Sequence, residues 1–249
     1  LRKLILSTES KLVKKREMVL AQLFDKSLLL SPIEANNLKT EIPLYANKIF
    51  SIFPSGVSQD RIIPDDIKKE ETSISFMGLL NYPPNEKGLI YFLETIFPIL
   101  KEKMPRIHLY IIGKNATTKL VYLTNQYPKN ITLTGFLDDP IELILKTQLL
   151  IAPVYFGTGI KIKILESMSI GVPIVTTPHG AEGLLVEHQK NILISQNEQE
   201  FASNIINVCN DSLLRDKIGK NGLAYINRHH NPLVLKKQFL ALLNNELSN

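Results

Sequence analysis

Short apolar runs alternate with longer segments of helical spacing over most of the chain, from about residue 72 onward. Six of the runs are almost wholly apolar, as expected of strands that are covered on both faces of a sheet. They read "SISFMG", "IHLYIIG", "NITLTG", "QLLIAPV", "PIVTT" and "NILIS". The segments between them carry apolar residues at helical spacing, so the alternation predicts an α/β fold with a parallel sheet and helices on both faces.

The predicted helices have recognisable ends. The longest runs over residues 85–104, and a polar helix follows around residues 116–126. Asp139 is suited to cap the next helix, because Pro140 then occupies the first helical position. Three helical stretches close the chain: residues 198–210, 213–227 and 232–247.

The first 60 residues are organised differently. They contain two helix–strand units: a basic helical stretch leads to a strand at "KSLLLS", and a helix at "PIEANNLKT" leads to a strand at "KIFSIF" and a turn at "PSGV". Two such units are too few for an independent α/β domain, so we interpret residues 1–60 as the tail of a domain. Residues 61–72 are polar and unpatterned and are predicted to be a linker. Residues 73–231 form the main predicted domain, and residues 232–249 a final helix.

Composition narrows the classes of function. The 249 residues are 44% hydrophobic and 21% charged, which is ordinary for a globular protein. The net charge of +5 is compatible with an anionic ligand or membrane surface, whereas no nucleic-acid-binding motif is present. A single cysteine, Cys209, excludes an intrachain disulfide and favours a reducing compartment. We therefore expect a cytoplasmic location, with peripheral contact to the cytoplasmic membrane face as a further possibility.

A glycine turn stands at one strand-to-helix junction, where parallel sheets bind their ligands. The stretch "FGTGIKIKILESMSIGVP" places Gly157, Thr158 and Gly159 there, and free amides at a helix start can hold phosphate oxygens. A dinucleotide fingerprint would need glycine at Ile162, and no Walker A loop follows. A simple tight turn is the alternative, and the local sequence fits it equally well.

The helix after this turn carries charge at regular spacing. Gly159, Lys163 and Glu166 are four and three residues apart, so they are predicted to share one side of the helix. That side is about 10 Å long, which suits a nucleoside diphosphate with its phosphates on Lys163 and its ribose on Glu166. The alternative is an ion pair between the two side chains on a solvated edge.

A second loop, "TTPHGAEGL", contributes a weaker signal. Its Glu182 and free amides are able to bind sugar hydroxyls, although a plain surface loop explains the same residues. The histidines show no metal-ligand spacing, and no Gly-x-Ser-x-Gly elbow is present. We therefore expect no metal and no catalytic triad. His179 is the histidine that falls near the predicted site.

Taken together, these stretches resemble the C-terminal half of the group 1 glycosyltransferase family. The similar segments lie in family order over residues 73–185, and they read "FMGLLNYPPNEKGLIYFLETIFP", "LYIIG", "LTGFLDDP", "LLIAPVYFGTGIKIKILESMSIGVPIVTT" and "GAEGL". The resemblance implies a GT-B fold, in which two Rossmann-like domains face each other across a cleft. This chain would supply the C-terminal domain, with a remnant of the N-terminal domain before it and a helix crossing back after it.

The resemblance also implies roles for individual residues. Glu166 matches the second glutamate of the family's paired-glutamate motif and would bind the donor ribose. Lys163 and the amides of the glycine turn would hold the diphosphate, and the loop after Gly135 would flank the base. The predicted donor site comprises Gly78, Lys87, Gly135, Phe136, Leu137, Gly157, Thr158, Gly159, Lys163 and Glu166.

Two positions depart from the family pattern. The first glutamate of the motif falls on Thr158, and the arginine that often follows the first strand's glycine is Leu79. Lys87 is a candidate to replace that missing charge. The changes fit a subgroup that carries G-T-G-x-K/R-x-K, or they mark reduced activity.

The leading hypothesis is the donor-binding half of a retaining glycosyltransferase that uses a nucleotide-sugar and a glycan or lipid-linked acceptor, with no other cofactor. The alternative is a non-catalytic nucleotide-sugar-binding module, or a split subunit whose partner supplies the N-terminal domain. A nicotinamide-dependent enzyme is disfavoured by the failed fingerprint. We expect the chain alone to transfer sugar poorly, and apolar surface on the N-terminal remnant predicts self-association or a partner chain.

Overall fold

The computed structural model describes residues 2–52, 57, 67–157 and 159–244. The chain divides into two compact units, of which the first comprises Leu1–Ser55 with Pro232–Asn249 and the second Gly56–Asn231. Buried apolar side chains form separate clusters in the two units. The strand-to-helix loops in which the sequence predicts a ligand lie in the second unit.

The first unit is built on a small parallel sheet. Its elements along the chain are helix α1 (Arg2–Leu23), strand β1 (Ser27–Leu29), helix α2 (Pro32–Glu41), a 3-10 helix (Pro43–Lys48) and strand β2 (Ile49–Ser51). The two strands pair in parallel. The hydroxyl of Ser31 caps α2 by accepting from the amide of Glu34, and Pro32 takes the first helical position. The turn predicted at residues 54–57 lies outside the described residues, apart from Val57.

The core of this unit is small, and much of its apolar surface faces outward. Ala21, Ala35, Ile42 and Ile49 are buried together. Large apolar side chains are exposed on the same unit: Leu12, Val13, Leu23, Phe24, Leu30, Leu44 and Leu233. Whether this surface leads to self-association stays a prediction.

The second unit contains one six-stranded sheet. Its elements are β3 (Ser73–Met77), α3 (Pro83–Tyr91), a π-helix (Phe92–Ile96), α4 (Phe97–Lys103), β4 (His108–Ile112), α5 (Thr118–Thr124), β5 (Ile131–Gly135), α6 (Pro140–Lys146), β6 (Leu149–Ala152), α7 (Ile162–Ser169), β7 (Ile174–Thr176), α8 (Pro178–Ala181), β8 (Leu193–Ile194), α9 (Glu198–Asn210) and α10 (Ser212–His229). The strands are all parallel, in the order β5-β4-β3-β6-β7-β8. The strand order reverses between β3 and β6, and ligands bind at such a point in open parallel sheets.

Apolar side chains cover both faces of this sheet. Along β4, Leu109 and Ile111 belong to one buried cluster, while Ile112 belongs to the other. β6 repeats the alternation, with Ile151 in the first cluster and Leu150 in the second. Because successive strand residues point to opposite faces, both faces carry a core. The predicted parallel α/β sheet with helices on both faces is confirmed.

Helix boundaries differ from the predicted ones in one informative place. The single helix predicted over residues 85–104 begins at Pro83, and a π-helix interrupts it. There the amide of Phe97 bonds the carbonyl of Phe92, five residues back. Pro98 has no amide to donate and its ring crowds the carbonyl four residues earlier, so one widened turn accommodates it.

Other boundaries agree closely with the sequence. Asp139 caps α6 by accepting from the amide of Ile141, and Pro140 is its first residue. The final helix α11 (Pro232–Leu243) belongs to the first unit, where its Leu242 carbonyl accepts from the ammonium of Lys26. The helix ends at Leu243, and residues 245–247 of its predicted extension lie outside the described residues.

The predicted linker is described only from residue 67 onward. There the ammonium of Lys69 donates to the carbonyls of Leu145 and Thr147, at 3.1 and 2.7 Å. These bonds fasten the segment to the end of α6, so this part of the predicted linker belongs to the second unit. Within the described ranges, every helix is too short or too polar to cross a bilayer.

Two glycines of α10 should respond in opposite ways to alanine. A β-carbon at Gly219 would lie 2.2 Å from the carbonyl oxygen of Gly171, whereas at Gly222 the nearest atoms are 3.4 Å away or more. We expect Gly219→Ala to lower the free energy of unfolding by about 1–3 kcal/mol through overpacking. Gly222→Ala should raise it by up to about 1 kcal/mol, because alanine favours the helix. Urea denaturation of both variants measures the difference, and equal effects would contradict the proposed packing.

Candidate functional site

A pocket of about 380 Å³ opens at the point where the strand order reverses. The end of β3 forms one wall, the loop after β6 forms another, and the first turns of α3 and α7 complete it. Its lining residues are Met77, Gly78, Tyr82, Pro84, Asn85, Val154, Gly157, Ile160, Lys161, Ile162, Lys163 and Glu166. Four of the residues predicted for the donor site are therefore brought together here: Gly78, Gly157, Lys163 and Glu166.

Lys163 is held in this first pocket by neighbours on other elements. Its ammonium nitrogen donates to Oδ1 of Asn85 at 2.6 Å. The same nitrogen lies 4.2 Å from the centre of the Phe76 ring, on β3. These contacts draw the ammonium toward the sheet and away from solvent.

The environment of Lys163 disfavours its charge. Burial lowers the pKa of its ammonium to about 7, and the positive charge of Lys161 acts in the same direction. The carboxylate of Glu166 opposes the shift without reversing it. An anion bound in the pocket would supply the missing negative charge, so the pocket is electrostatically prepared for one.

Glu166 lies one turn further along α7 on the same pocket wall. Burial raises the pKa of its carboxyl group, and the charge of Lys163 partly offsets the rise. The simple ion pair between these two side chains is not formed, because Lys163 donates to Asn85 instead. The carboxylate of Glu166 is thus available for a ligand hydroxyl.

The glycine turn differs from the prediction in one respect. Gly159 was expected to share the helix side of Lys163 and Glu166, yet α7 begins only at Ile162. Gly157 and Gly159 have φ angles of 101° and 81°, a left-handed conformation that cannot continue into the helix. The turn is therefore a separate loop that leads into α7.

Side chains from two directions hold this loop. The ammonium of Lys161 donates to the carbonyls of Gly157 and Gly159, at 3.1 and 2.6 Å. The Nε2 atom of His179 lies 2.6 Å from the carbonyl oxygen of Gly157, and its Nδ1 lies 3.1 Å from the Glu182 carboxylate. The predicted second loop thus contacts the glycine turn through His179. Thr158, at the centre of the turn, lies outside the described residues.

A second pocket of about 210 Å³ adjoins the first, since Met77 and Gly78 line both. It contains two residues predicted to flank a base, Phe136 and Leu137. The ammonium of Lys114 lies 5.9 Å from the centre of the Phe136 ring. The remaining lining residues are Leu79, Ile112, Gly113, Lys114 and Pro140.

Three predicted residues line neither pocket. Gly135 has a φ angle of 74° and serves the turn that leaves β5. Gly159 lies in the loop just described. The ammonium of Lys87 lies 5.2 Å from the centre of the Phe156 ring, and its predicted role in place of the missing arginine at Leu79 stays a prediction. Beside Leu79, a β-carbon at Gly78 would lie 3.1 Å from the nitrogen of Lys163. Lys114 lines the second pocket together with Leu79.

Asn85 and Lys114 are pocket residues that the sequence reasoning missed. Asn85 follows two prolines at the start of α3, a position that suggested only a helix beginning. Lys114 directly follows the glycine that ends the second apolar run of the sheet, and the sequence gives no further sign of its role. The place of Lys114 just after a strand was a signal that could have identified it, whereas Asn85 lies eight residues beyond the end of β3 and carried no such signal.

Known proteins resemble this chain in sequence. The model of one family, "Glycosyl transferases group 1", matches residues 71–211. The chain is 28% identical over 184 residues to an uncharacterised 44.6 kDa protein from the cps region of Klebsiella pneumoniae, covering 72% of this chain and 47% of that protein. It is 23% identical over 202 residues to the capsular polysaccharide biosynthesis glycosyltransferase CapM of Staphylococcus aureus. This match covers 76% of this chain and 53% of CapM. The chain thus spans about half the length of these relatives.

Solved structures share its fold. TarM of S. aureus is 16% identical to this chain and superposes on it with a TM-score of 0.77. The superposition covers 92% of this chain and 45% of TarM. HepE of Anabaena, solved with UDP and glucose, is 18% identical and superposes with a TM-score of 0.71. This superposition covers 93% of this chain and 66% of HepE. At such identities the likeness concerns the fold, and it confirms the predicted fold class, the C-terminal-like half of a GT-B structure.

The depressed pKa of Lys163 should make stability depend on pH. Between about pH 7 and its ordinary value of 10.5, the folded protein holds a neutral amine while the unfolded chain still binds a proton. The free energy of unfolding should therefore rise with pH across this interval, and the contribution of Lys163 should be lost as pH falls toward 7. Lys163→Met should flatten the rise seen in urea denaturation between pH 7 and 9. An unchanged slope in that variant would show that burial does not lower the pKa of Lys163.

Proposed function

This chain belongs to the group 1 glycosyltransferase family, and on that premise we propose that it binds the nucleotide-sugar donor of a retaining glycosyltransferase. The two adjoining pockets at the switch point of the sheet are the observation that carries the proposal. One pocket offers a cation and a carboxylate on a single helix, and the other offers an aromatic ring and apolar walls. A nucleoside diphosphate needs this combination: charge for its phosphates, an acceptor for its ribose, and a flat apolar surface for its base.

Lys163 would act on the phosphates. A buried ammonium close to the diphosphate interacts strongly, because little water separates the charges. It would also stabilise the diphosphate as it leaves the sugar, when negative charge develops on its terminal oxygen. Since a side chain supplies this charge, we propose that donor binding needs no metal ion.

Glu166 would act on the ribose. A carboxylate accepts two hydrogen bonds and so matches a pair of neighbouring hydroxyls. Its position three residues after Lys163 separates the ribose contact from the phosphate contact along α7. The base would then fall toward Phe136 and Leu137, because the second pocket adjoins the first at Gly78.

The acceptor is proposed from similarity. A mutant of TarM has been solved with UDP, fondaparinux and alpha-GlcNAc-glycerol, and CapM is described as a glycosyltransferase of capsular polysaccharide biosynthesis. For this chain we propose a glycan or lipid-linked glycan acceptor, with peripheral membrane contact in the latter case. Transfer itself would require the part of the family fold that this chain does not span, because closure of two domains positions both substrates and excludes water.

A second candidate function follows from Thr158. This residue stands where the family has the first glutamate of its motif, so a carboxylate is lacking there. A module that binds a nucleotide-sugar without transferring it, or a split subunit that acts with a partner, is consistent with that substitution. Donor turnover measured in the presence of a chain carrying the other domain separates these two cases.

The chain should distinguish nucleoside diphosphates from monophosphates. Lys163 acts on the distal phosphate, and a charge-assisted hydrogen bond there predicts at least about tenfold tighter binding of UDP than of UMP. Calorimetry with the uridine, adenosine and guanosine pairs, with and without Mg²⁺, measures the preference and identifies the base. Lys163→Met should remove it, while Lys119→Met, which loses only the exposed ion pair with Glu94, should keep it. Equal affinities for diphosphate and monophosphate would contradict the role of Lys163.

Glu166 should matter only to ligands that carry ribose hydroxyls. We expect Glu166→Ala to weaken UDP by about tenfold and 2′,3′-dideoxy-UDP by less than about twofold, because only UDP loses its acceptor. Glu94→Ala provides the control, since Glu94 is exposed and pairs with Lys119 outside both pockets. Parallel titrations of the two ligands give the ratio. Equal losses for both would remove Glu166 from the ribose site.

A further inference from the structure

Asn85 is a buried polar residue whose side-chain amide is used at both ends. Only 8% of its surface is exposed. Its Nδ2 donates to the carbonyl of Leu79 at 2.9 Å, and its Oδ1 accepts from the ammonium of Lys163 at 2.6 Å. Because a carbonyl can only accept, the bond to Leu79 fixes the orientation of the amide and leaves Oδ1 to accept from Lys163.

The backbone fixes the position of Asn85 as well. Its amide nitrogen donates to the carbonyl of Tyr82 at 2.9 Å, within the first turn of α3. On the opposite side stands Gly78, where a β-carbon would lie 2.7 Å from Nδ2 of Asn85 and 3.1 Å from the nitrogen of Lys163. A side chain at position 78 would therefore displace both groups. Gly78, Asn85 and Lys163 form one fitted arrangement from three elements.

We propose that Asn85 is a positioning residue for the donor diphosphate, which holds the ammonium of Lys163 at a fixed place beside the bare backbone of Gly78. This proposal rests on the proposed function, in which Lys163 contacts the distal phosphate. A lysine side chain has four rotatable bonds, and ordering it costs conformational entropy on ligand binding. Because Asn85 already orders the Lys163 side chain in the free protein, that entropy is not lost when the ligand binds.

The choice of asparagine has an electrostatic consequence. An aspartate at the same place would neutralise Lys163 and repel the phosphate, whereas a neutral amide orients the ammonium and leaves its charge to the ligand. The ionic groups that act on Lys163 are Lys161, which disfavours its charge, and Glu166, which favours it. Asn85 adds a hydrogen-bond acceptor to this set without adding a charge.

The decisive experiment measures proton uptake during UDP binding. Burial holds the pKa of free Lys163 at about 7, and a bound diphosphate would raise it. At pH 8 the wild-type chain should therefore take up close to one proton per UDP, seen as a dependence of the calorimetric heat on buffer ionisation enthalpy. Lys163→Arg should take up almost none, because an arginine is charged throughout.

Two variants of Asn85 separate positioning from folding. Asn85→Ala should weaken UDP by about tenfold while changing UMP by less than about twofold, since only the diphosphate uses Lys163. Asn85→Asp, which is nearly isosteric, should also weaken UDP, and its carboxylate should charge Lys163 beforehand, so that proton uptake at pH 8 falls close to zero. A general loss of folding would weaken both nucleotides together, and in that event the proton count of the aspartate variant decides.

The outcomes distinguish this inference from the function beneath it. A wild-type chain that binds neither UDP nor any other nucleoside diphosphate would overturn both. A wild-type chain that binds UDP, together with Asn85 variants of unchanged UDP-to-UMP preference and unchanged proton uptake, would overturn the role of Asn85 alone. A reduced preference in Asn85→Ala with abolished proton uptake in Asn85→Asp would support it.

Discussion

The candidate site depends on one lysine ammonium that the fold withdraws from water. Removing a charge from solvent is costly, and this fold offers Lys163 a neutral hydrogen-bond acceptor and an aromatic face in place of a carboxylate partner. The cost is therefore left partly uncompensated, which is why its pKa falls toward neutrality. A ligand with negative charge is the partner that such an arrangement lacks.

The rest of the second unit places the groups around that ammonium. Parallel pairing brings the ends of β3 and β6 side by side, so that loops distant in sequence meet at one edge. Gly88 lets α3 approach closely, because a β-carbon there would lie 1.9 Å from the carbonyl oxygen of Pro153. Close packing of α3 against the loop after β6 is what puts Asn85 within reach of Lys163.

Sequence reasoning predicted the sheet well because apolar runs report burial on both faces directly. It also placed Lys163 and Glu166 in the pocket, since helical spacing fixes which residues share a side. It was wrong to place Gly159 on the same helix side as Lys163 and Glu166. Gly159 has a positive φ angle and precedes the helix, and the spacing of residue types does not reveal a φ angle. It missed Asn85 for a different reason: the bond to Lys163 joins residues 78 positions apart, and only the packing of α3 on the sheet creates it. The π-helix before Pro98 was likewise invisible to periodicity, which continues through a single widened turn.

Gly78 lines both pockets, so in the proposed donor site this one residue borders both the phosphates and the base. On that proposal, a substitution at the end of β3 would disturb the contacts to phosphate and base together, which leaves little freedom there for a change of nucleotide. Lys114, Phe136 and Leu137 form the outer wall of the second pocket. Within the described part of the chain, no hydrogen bond or ring contact joins this wall to Asn85 or Lys163. On the same proposal, variation confined to that wall would change which base is bound and would leave the phosphate contact of Lys163 unchanged.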